Sequence, residues 1–515
     1  MDVDVVVVGA GPTGLALAGE LALAGVRALV LERRPGPSPE PRANGLGGQV
    51  LELLRCRGLL ARVEAASGAE HPAPRYPFAT LHLDFTGLAD PPLRGVALPQ
   101  AGVERVLAEW AVELGAEVRR GCEVVGLAQD EGAVTARLRG GGEVTGRYLV
   151  GCDGGRSRVR ELLGVGFPGQ TYPEVHRLGQ VRVPASVTRR DGGHLELPGV
   201  GRVGAGEFTR TERGAFGMGW LDPDVLMVST TEEAGEVDEG APLTLAELAG
   251  SVERVLGAPL PMEGATRLSR YRHHARAAER HRVDRVFLAG EAAHRFPATG
   301  VGIGAGMLDS VNLAWKLAAT LRGWAPPGLL DTYQSERRHA TARTMLHTQA
   351  QVALRRGEDP AALALRELVG ELLVDEQPLR RLGALVAGAE LRYPFPGAHP
   401  LTGRFTPNPA LRTASGATDV AGLLHAARPV LLALADRPDL LAAAEPWRDR
   451  VDRHTATAPD PVAADALLIR PDAHVAWAAA PGEPATTAVP ALREALTTWF
   501  GEATRTAAPG HGQRR

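Results

Sequence analysis

Gly9-Ala10-Gly11-Pro12-Thr13-Gly14 is the stretch whose residue types and spacing point most directly to chemistry. Gly9 permits a tight turn, Gly11 lets a pyrophosphate approach the backbone, and Gly14 lets helix and strand pack closely. The free N–H groups and positive end of the following helix then hold phosphate charge. Glu32, eighteen residues past Gly14, stands where a carboxylate accepts hydrogen bonds from a ribose hydroxyl. Two further constellations follow. Cys152-Asp153-Gly154-Gly155 leads into the arginine-rich run 156–160 as a second nucleotide-type corner, with Asp153 or Ser157 serving alternatively as a plain helix cap. Gly290-Glu291 ends an apolar run, and the glycine-spaced loop from Pro297 to Gly306 feeds another helix N-terminus, suited to an oxygen anion or developing negative charge.

Glycine spacing alone is weak evidence in a chain with 62 glycines, so the flanking elements decide. The β-branched run 3–8 predicts a strand buried on both faces of a parallel sheet. An alanine- and leucine-rich helix over 15–24 and a second strand over 26–31 complete a βαβ unit ending on Glu32. A proline-rich loop then closes on Arg42, and one helix is expected over 49–60, with Leu51, Leu54 and Leu59 as its apolar stripe. Alternating segments at 178–183, 194–197, 214–220 and 225–230 predict an antiparallel sheet inserted between two halves of the first domain, with its one clear helix over 244–255. A buried strand over 285–294, delivering a carboxylate to its C-terminal end, and the helix over 307–321 return to the first domain, and a last part over 429–500 reads as strand, turn, strand and closing helix.

At 515 residues and net charge −3, the chain has room for several domains and carries no electrostatic footprint for nucleic acid or an anionic membrane. It starts directly on a strand, without the features of a signal peptide. No apolar run approaches the roughly 20 residues that a membrane helix needs. A cytoplasmic monomer or homodimer is expected. Cys56, Cys122 and Cys152 form no CxxC, so neither a disulfide framework nor a zinc site is indicated. His273, His274 and His294 have no ligand spacing, and no metal is expected. Lys316 is the only lysine, set in an ordinary helical context, which argues against Schiff-base or P-loop chemistry. No nucleophile, base and orienter set is visible, so no catalytic side chain is assigned.

These three motifs, in this order and with a sheet inserted between the second and third, resemble the class A flavoprotein monooxygenases, FAD-dependent aromatic hydroxylases typified by para-hydroxybenzoate hydroxylase. The resemblance spans residues 1 to about 390. The segments 468–477 and 499–501 are similar to the appended thioredoxin-like domain of the bacterial polyketide and antibiotic hydroxylases, here without CxxC. It implies an α/β fold: a Rossmann-like FAD-binding domain over 1–166 and 281–390, a substrate-binding sheet domain over 167–280, a linker over 391–409, the thioredoxin-like domain over 410–502 and a disordered tail over 503–515.

Carried over by position, the resemblance makes Gly9, Gly11, Thr13 and Gly14 the ADP loop, Glu32 the ribose acid and Arg33 its neighbour. It puts Arg42 near the flavin and pyrophosphate, Gln100 at the ribityl chain and Val124 at the adenine through its backbone. Asp153 belongs to the motif that serves FAD and the pyridine nucleotide, Glu291 holds ribityl hydroxyls, and Pro297, Gly302, Ile303, Gly304 and Ala305 line the isoalloxazine. Three positions depart from the family pattern: Glu291 replaces aspartate, Gly304 replaces asparagine, and Gln49 stands where many relatives have arginine.

The implied reaction uses NADPH or NADH to reduce FAD, and O2 then forms a flavin C4a-hydroperoxide that hydroxylates an aromatic polyketide or related antibiotic intermediate. The cofactor carries this chemistry, while the protein orients the ring and excludes water. The substrate pocket is expected between the inserted sheet and the FAD domain, with Phe216, Met218 and Trp220 as candidate lining residues or, alternatively, sheet core. Baeyer–Villiger insertion or epoxidation on the same substrate class, and a flavin-binding protein with little oxygenase activity, remain open beside hydroxylation.

Overall fold

The structure, a computed structural model, describes residues 2–37, 43–68, 75–187, 189–205, 208–235, 237–239, 241–357, 359–460 and 462–504. They form two compact units, one comprising the chain up to Pro168 together with everything from Ala277 on, the other Gly169–Arg276.

In the first unit the valine run forms β1 (Val3–Val8), and strand alternation divides its side chains between two cores. Val5 and Val7 join Leu15, Leu17 and Val30 on one side, whereas Val6 and Val8 join Leu29, Leu31 and Leu149 on the other. Burial on both faces is why the segment carries no polar alternation. The chain continues through helix α1 (Pro12–Leu23) to strand β2 (Ala28–Glu32). β1 lies parallel to β2 and to the strand Glu143–Gly151, which is itself parallel to Val286–Leu288. Glu117–Arg120 extends the sheet beyond β2, again in parallel. This arrangement brings the C-terminal ends of several strands to one edge, where Gly9, Cys152 and Ala289 emerge side by side.

The single helix expected over 49–60 is instead two, Gln49–Arg55 and Leu60–Ser67. Gly58 between them sits at φ +68°, a left-handed conformation that stops the first helix and turns the chain into the second.

From residue 410 on, a six-stranded sheet runs in the order Gly416–Asp419, Ala410–Thr413, Asp452–Thr457, Val430–Ala433, Ala466–Ile469, Val475–Ala479. Val430–Ala433 is parallel to Asp452–Thr457 and antiparallel to Ala466–Ile469. The closing helix Ala485–Phe500 buries Leu492, Leu496, Trp499 and Phe500 in a core that also holds Trp315 and Ala319 of the helix Gly302–Leu321. No described helix is long and apolar enough to cross a membrane.

The second unit is an antiparallel sheet ordered Phe208–Thr211, Gly214–Trp220, Val225–Glu233, Gly169–Arg182, Gly264–Ala277. Its helix Leu245–Leu256 is capped by Thr244, whose Oγ1 accepts from the Glu247 amide at 3.1 Å. Leu248, Val252 and Val255 of that helix cover one face of the sheet.

Candidate cofactor and substrate site

The three glycine-bearing motifs meet in the first unit, and their glycines record how closely. Gly9 has φ +106°, and a Cβ there would come within 2.6 Å of the Cys152 carbonyl oxygen, so the first motif touches the second. A Cβ on Gly14 would overlap the Gly9 carbonyl oxygen, which is the close helix–strand packing expected of this position. Gly290 has φ +62°, and a Cβ on it would lie 2.6 Å from Thr13 Oγ1; one on Gly306 would overlap the same oxygen. Thr13 therefore sits at the junction of the first loop, the Gly290 turn and the helix Gly302–Leu321. The Ser310 hydroxyl adds a hydrogen bond to the Thr13 carbonyl at 2.7 Å.

Open space is equally informative. A Cβ on Gly11 or Gly302 would meet nothing within 4 Å. Both α1 and the helix Gly302–Leu321 start without a side-chain cap. The helix Arg158–Leu162, by contrast, is capped by Ser157, which accepts from the Arg160 amide at 3.0 Å. Uncapped amides beside bare glycines are what an anionic group approaching the backbone requires, and these residues fit the phosphates and ring of a flavin dinucleotide.

Glu32 ends β2 with its carboxylate against the loop, accepting from the Ala10 amide at 2.8 Å and the Arg34 amide at 2.9 Å. Arg33 beside it is exposed. Arg42 lies outside the described residues. Gln100 opens the helix Gln100–Glu113, donating from Nε2 to Glu104 at 2.7 Å, and Val124 is buried in the sheet core. Asp153 accepts from Ser157 Oγ at 2.5 Å and from the Val159 amide at 3.0 Å, so its carboxylate serves the following helix. Arg160 joins this corner to the third motif, donating to the Gly155 and Ala292 carbonyls, each at 3.0 Å.

Glu291 sits exposed in the turn Gly290–Ala292. Pro297 is buried, the Thr299 carbonyl accepts from Tyr76 Oη at 2.8 Å, and Gly302 to Ala305 form the half-buried first turn of their helix. Gly304 faces Val50, whose Cγ1 would lie 3.3 Å from an added Cβ, so the space beside this position is taken by valine. Gln49 is 6% exposed and shares with Gly304, Ala305 and His347 a cavity of about 60 Å³.

Behind the loop lies a buried ionic network that sequence reasoning missed. Asp309 Oδ2 accepts from the Gly290 amide at 2.8 Å and meets His294 Nε2 at 2.7 Å, while Oδ1 accepts from Arg337 Nε at 2.5 Å. Burial alone would raise the Asp309 carboxyl, but His294 and Arg337 hold it well below the carboxylate range. His294 thus supports the loop from behind. Lys316 is fully buried too: burial pushes it down to about 8 against the pull of Glu336, which is 3.1 Å away.

In the second unit, Phe216 and Met218 are corrected from candidate lining residues to core. Residues 216, 218 and 220 share one strand face, and that face is the one covered by Leu248, Val252 and Val255. Trp220 packs partly against the same core and donates from Nε1 to the Gly193 carbonyl at 2.8 Å. The opposite face carries His176, Leu178, Met227, Ser229, Tyr271 and His273, most of them half-buried. His176 stacks on Tyr271 with ring centroids 4.9 Å apart, and His273 leans on His176 at 4.3 Å. His274 bonds to Thr171 and Glu239.

Residues 2–348 match the FAD binding domain family, and residues 399–503 match the family described as aromatic-ring hydroxylase, C-terminal. The chain belongs to the class A flavoprotein monooxygenases. A rifampicin monooxygenase of Streptomyces venezuelae is 40% identical to it over 97% of this chain and 99% of that protein. The solved anhydrotetracycline hydroxylase of Streptomyces rimosus has a TM-score of 0.86, 40% identity and coverage of 98% of this chain and 100% of its own. A dialkyldecalin synthase of Streptomyces rugosporus is 37% identical over 98% of this chain and all of that protein. The chain is accordingly an FAD-dependent monooxygenase of mixed α/β fold.

The buried groups also set an acid limit on the fold. Burial pushes His281 from 6.5 down to about 3, and both its ring nitrogens lack a partner among the described residues. Below pH 6.5 the unfolded chain takes up a proton that folded His281 refuses, so stability falls as pH drops toward 3. Burial acts to raise Glu336, but Arg470 and Lys316 bring it from 4.5 down to about 2, so its contribution is full above 4.5 and lost on the way to 2. Urea midpoints are expected to fall from pH 7 to 5, and His281→Phe to flatten that part of the curve. A wild-type midpoint that is level over this range would mean that His281 is not held neutral.

Proposed function

We propose that this monooxygenase uses NADPH or NADH to reduce FAD and hydroxylates an aromatic polyketide or related antibiotic intermediate with O2. The convergence of Gly290 and Gly306 on Thr13, in the loop that Gly9 opens, carries the reading, because it joins the proposed phosphate loop to the loop proposed to hold the ring. The FAD-bearing segments are assigned to 1–166 and 281–390, the substrate sheet to 167–280, and a linker to 391–409. A thioredoxin-like domain without CxxC is assigned to 410–502, supported by the parallel and antiparallel pairing around Val430–Ala433.

The amides at Gly11, Thr13 and Gly14 bind the pyrophosphate, and Glu32 accepts from the adenosine ribose with Arg33 at its side. Val124 reaches the adenine through its backbone, Gln100 and Glu291 hold the ribityl chain, and the corner at Asp153 supports both FAD and the pyridine nucleotide. Pro297 and Gly302 to Ala305 orient the ring edge, with the first-turn amides of Gly302, Ile303 and Gly304 facing developing negative charge. The bound flavin supplies electron transfer from the nicotinamide and oxygen activation. The half-buried sheet face bearing His176, Leu178, Met227, Ser229, Tyr271 and His273 lines the substrate, presenting aromatic stacking surface with few charges.

The purified protein is expected to be yellow, with a flavin spectrum perturbed by an aromatic polyketide that also stimulates NADPH consumption. One atom of labelled O2 should enter the product. The dialkyldecalin synthase relative favours a second reading, in which the chain binds flavin and reshapes its substrate without oxygenation. Product that forms without label and without NADPH consumption would select that second reading.

A further inference from the structure

Glu336 and Arg337 are neighbours in the helix Asp331–Arg355, and consecutive helical side chains diverge by about 100°. They consequently grip two different bodies. Arg337 turns to the flavin loop, donating to Asp309 Oδ1 at 2.5 Å and to the Ala305 carbonyl at 3.3 Å. Glu336 turns to the C-terminal sheet, accepting from Arg470 at 2.9 and 2.7 Å.

Arg470 is 0% exposed, bonded also to Asp472 and ringed by Trp315, Phe395 and Trp499, whose centroids lie 5.1, 4.6 and 4.5 Å from its guanidinium carbon. Asn312 donates to both Glu336 and Asp472, at 2.6 and 2.9 Å, and is braced by Lys316 at 2.8 Å. A further link between the two halves runs through Tyr393. Tyr393 Oη accepts from Arg337 Nη1 at 2.7 Å, and the Tyr393 ring lies 4.5 Å from that of His474. The Tyr393 backbone is tied by Gly403 to Val475 of the C-terminal sheet, each hydrogen bond being 2.8 Å.

A cysteine-free segment cannot exchange dithiols, yet it inserts a charged side chain to within one helix turn of the cofactor loop's anchor. We propose that Arg337 and Tyr393 are positioning residues for the flavin: the C-terminal sheet, through Arg470 and Tyr393, holds the helix Asp331–Arg355 in the register at which Arg337 fixes Asp309, the Gly290 turn and Ala305. This rests on the FAD assignment above. The appended sheet is thereby part of the cofactor site's framework, and its contribution passes through buried hydrogen bonds rather than through any residue that touches the flavin. Because buried charges tolerate no slack, a small loss at Tyr393 is transmitted to the loop.

Tyr393→Phe removes a single hydroxyl and keeps the ring, so the chain should fold. In the apoprotein, hydrogen exchange across 286–308 should accelerate at least threefold. FAD affinity should weaken about fivefold, with a shift in the visible flavin spectrum. Arg57→Lys is the structural control. Arg57 is buried, pairs with Glu20 at 2.7 Å and bonds the Leu424 and Pro471 carbonyls, spanning the same two parts without reaching Asp309. That variant should lower the thermal midpoint and leave FAD affinity and exchange over 286–308 unchanged. Unchanged exchange and unchanged FAD affinity in Tyr393→Phe overturn the proposal, as does an equal loss in both variants. A wild-type protein that fails to bind FAD overturns the functional assignment instead, while the exchange comparison still decides the positioning.

Discussion

Gly290→Ala is expected to cut FAD affinity at least 100-fold, because a single methyl there separates two of the segments that we propose the cofactor bridges. Gly290 occupies φ +62°, where an L side chain costs roughly 1–2 kcal/mol. The added carbon would also stand 2.6 Å from Thr13 Oγ1, closer than a Cβ comes to any neighbour, and a tight 3.1 Å from its Cγ2. Overpacking of this kind costs about 1–3 kcal/mol, and relief can come only by moving Thr13 or the turn that carries Glu291. Either movement opens the junction between the phosphate loop and the ring loop. Gly11→Ala separates sterics on the protein from sterics on the ligand. Gly11 has an ordinary φ of −79° and open space beyond it, so that variant should keep the apoprotein's denaturation midpoint and still lose FAD. Equilibrium dialysis of both, with urea midpoints alongside, checks the pair. Wild-type affinity in Gly290→Ala would remove Thr13 from the cofactor junction.

The contrast between those two glycines shows what the amino-acid order made legible. Strand, loop, helix, strand and terminal acid over residues 3–32 were readable because each is a local pattern, and a βαβ unit has few ways to close. That Gly290 and Gly306 press on Thr13 was not, since nothing local marks a contact across nearly 300 positions. Alternation over 214–220 disclosed two strand faces but not which one the helix Leu245–Leu256 would cover, and Phe216 and Met218 turned out to lie on the covered one. Lys316 reads as an ordinary helical residue, and its helix is ordinary; its burial depends on Glu336 and on Arg470 from a sheet more than 130 residues downstream. Charged residues that pair over such distances carry no periodicity. Their only trace is composition at the wrong place: Asp309, Asn312 and Lys316 punctuate an otherwise small and apolar helix, a pattern that calls for partners without naming them.

Asp309 is where that long-range pairing has its largest consequence for stability. Asp309→Ala is expected to cost about 3–5 kcal/mol, the penalty for stranding a buried charge, against a total of about 5–15 kcal/mol for a typical domain. The carboxylate is 0% exposed and satisfies three donors at once: the Gly290 amide, His294 Nε2 and Arg337 Nε. Without it Arg337, itself 4% exposed, keeps the Tyr393 hydroxyl and the Ala305 carbonyl as its hydrogen-bond acceptors among the described residues, neither of which carries a charge to replace the anion. Asp309→Asn preserves shape and one acceptor oxygen, but its amide must then face either the imidazole or the guanidinium as a second donor. It should therefore fall between wild type and alanine, losing about 1–3 kcal/mol. The double variant Asp309→Asn with Arg337→Met removes both charges, and because an unpaired ion costs more than an absent pair, it should be more stable than Asp309→Ala despite carrying one more substitution. Urea denaturation of the four proteins measures the order directly. A double variant that unfolds at lower urea than Asp309→Ala would mean that the pair contributes by attraction beyond its desolvation cost, and that the cofactor loop rests on a net-favourable ion pair.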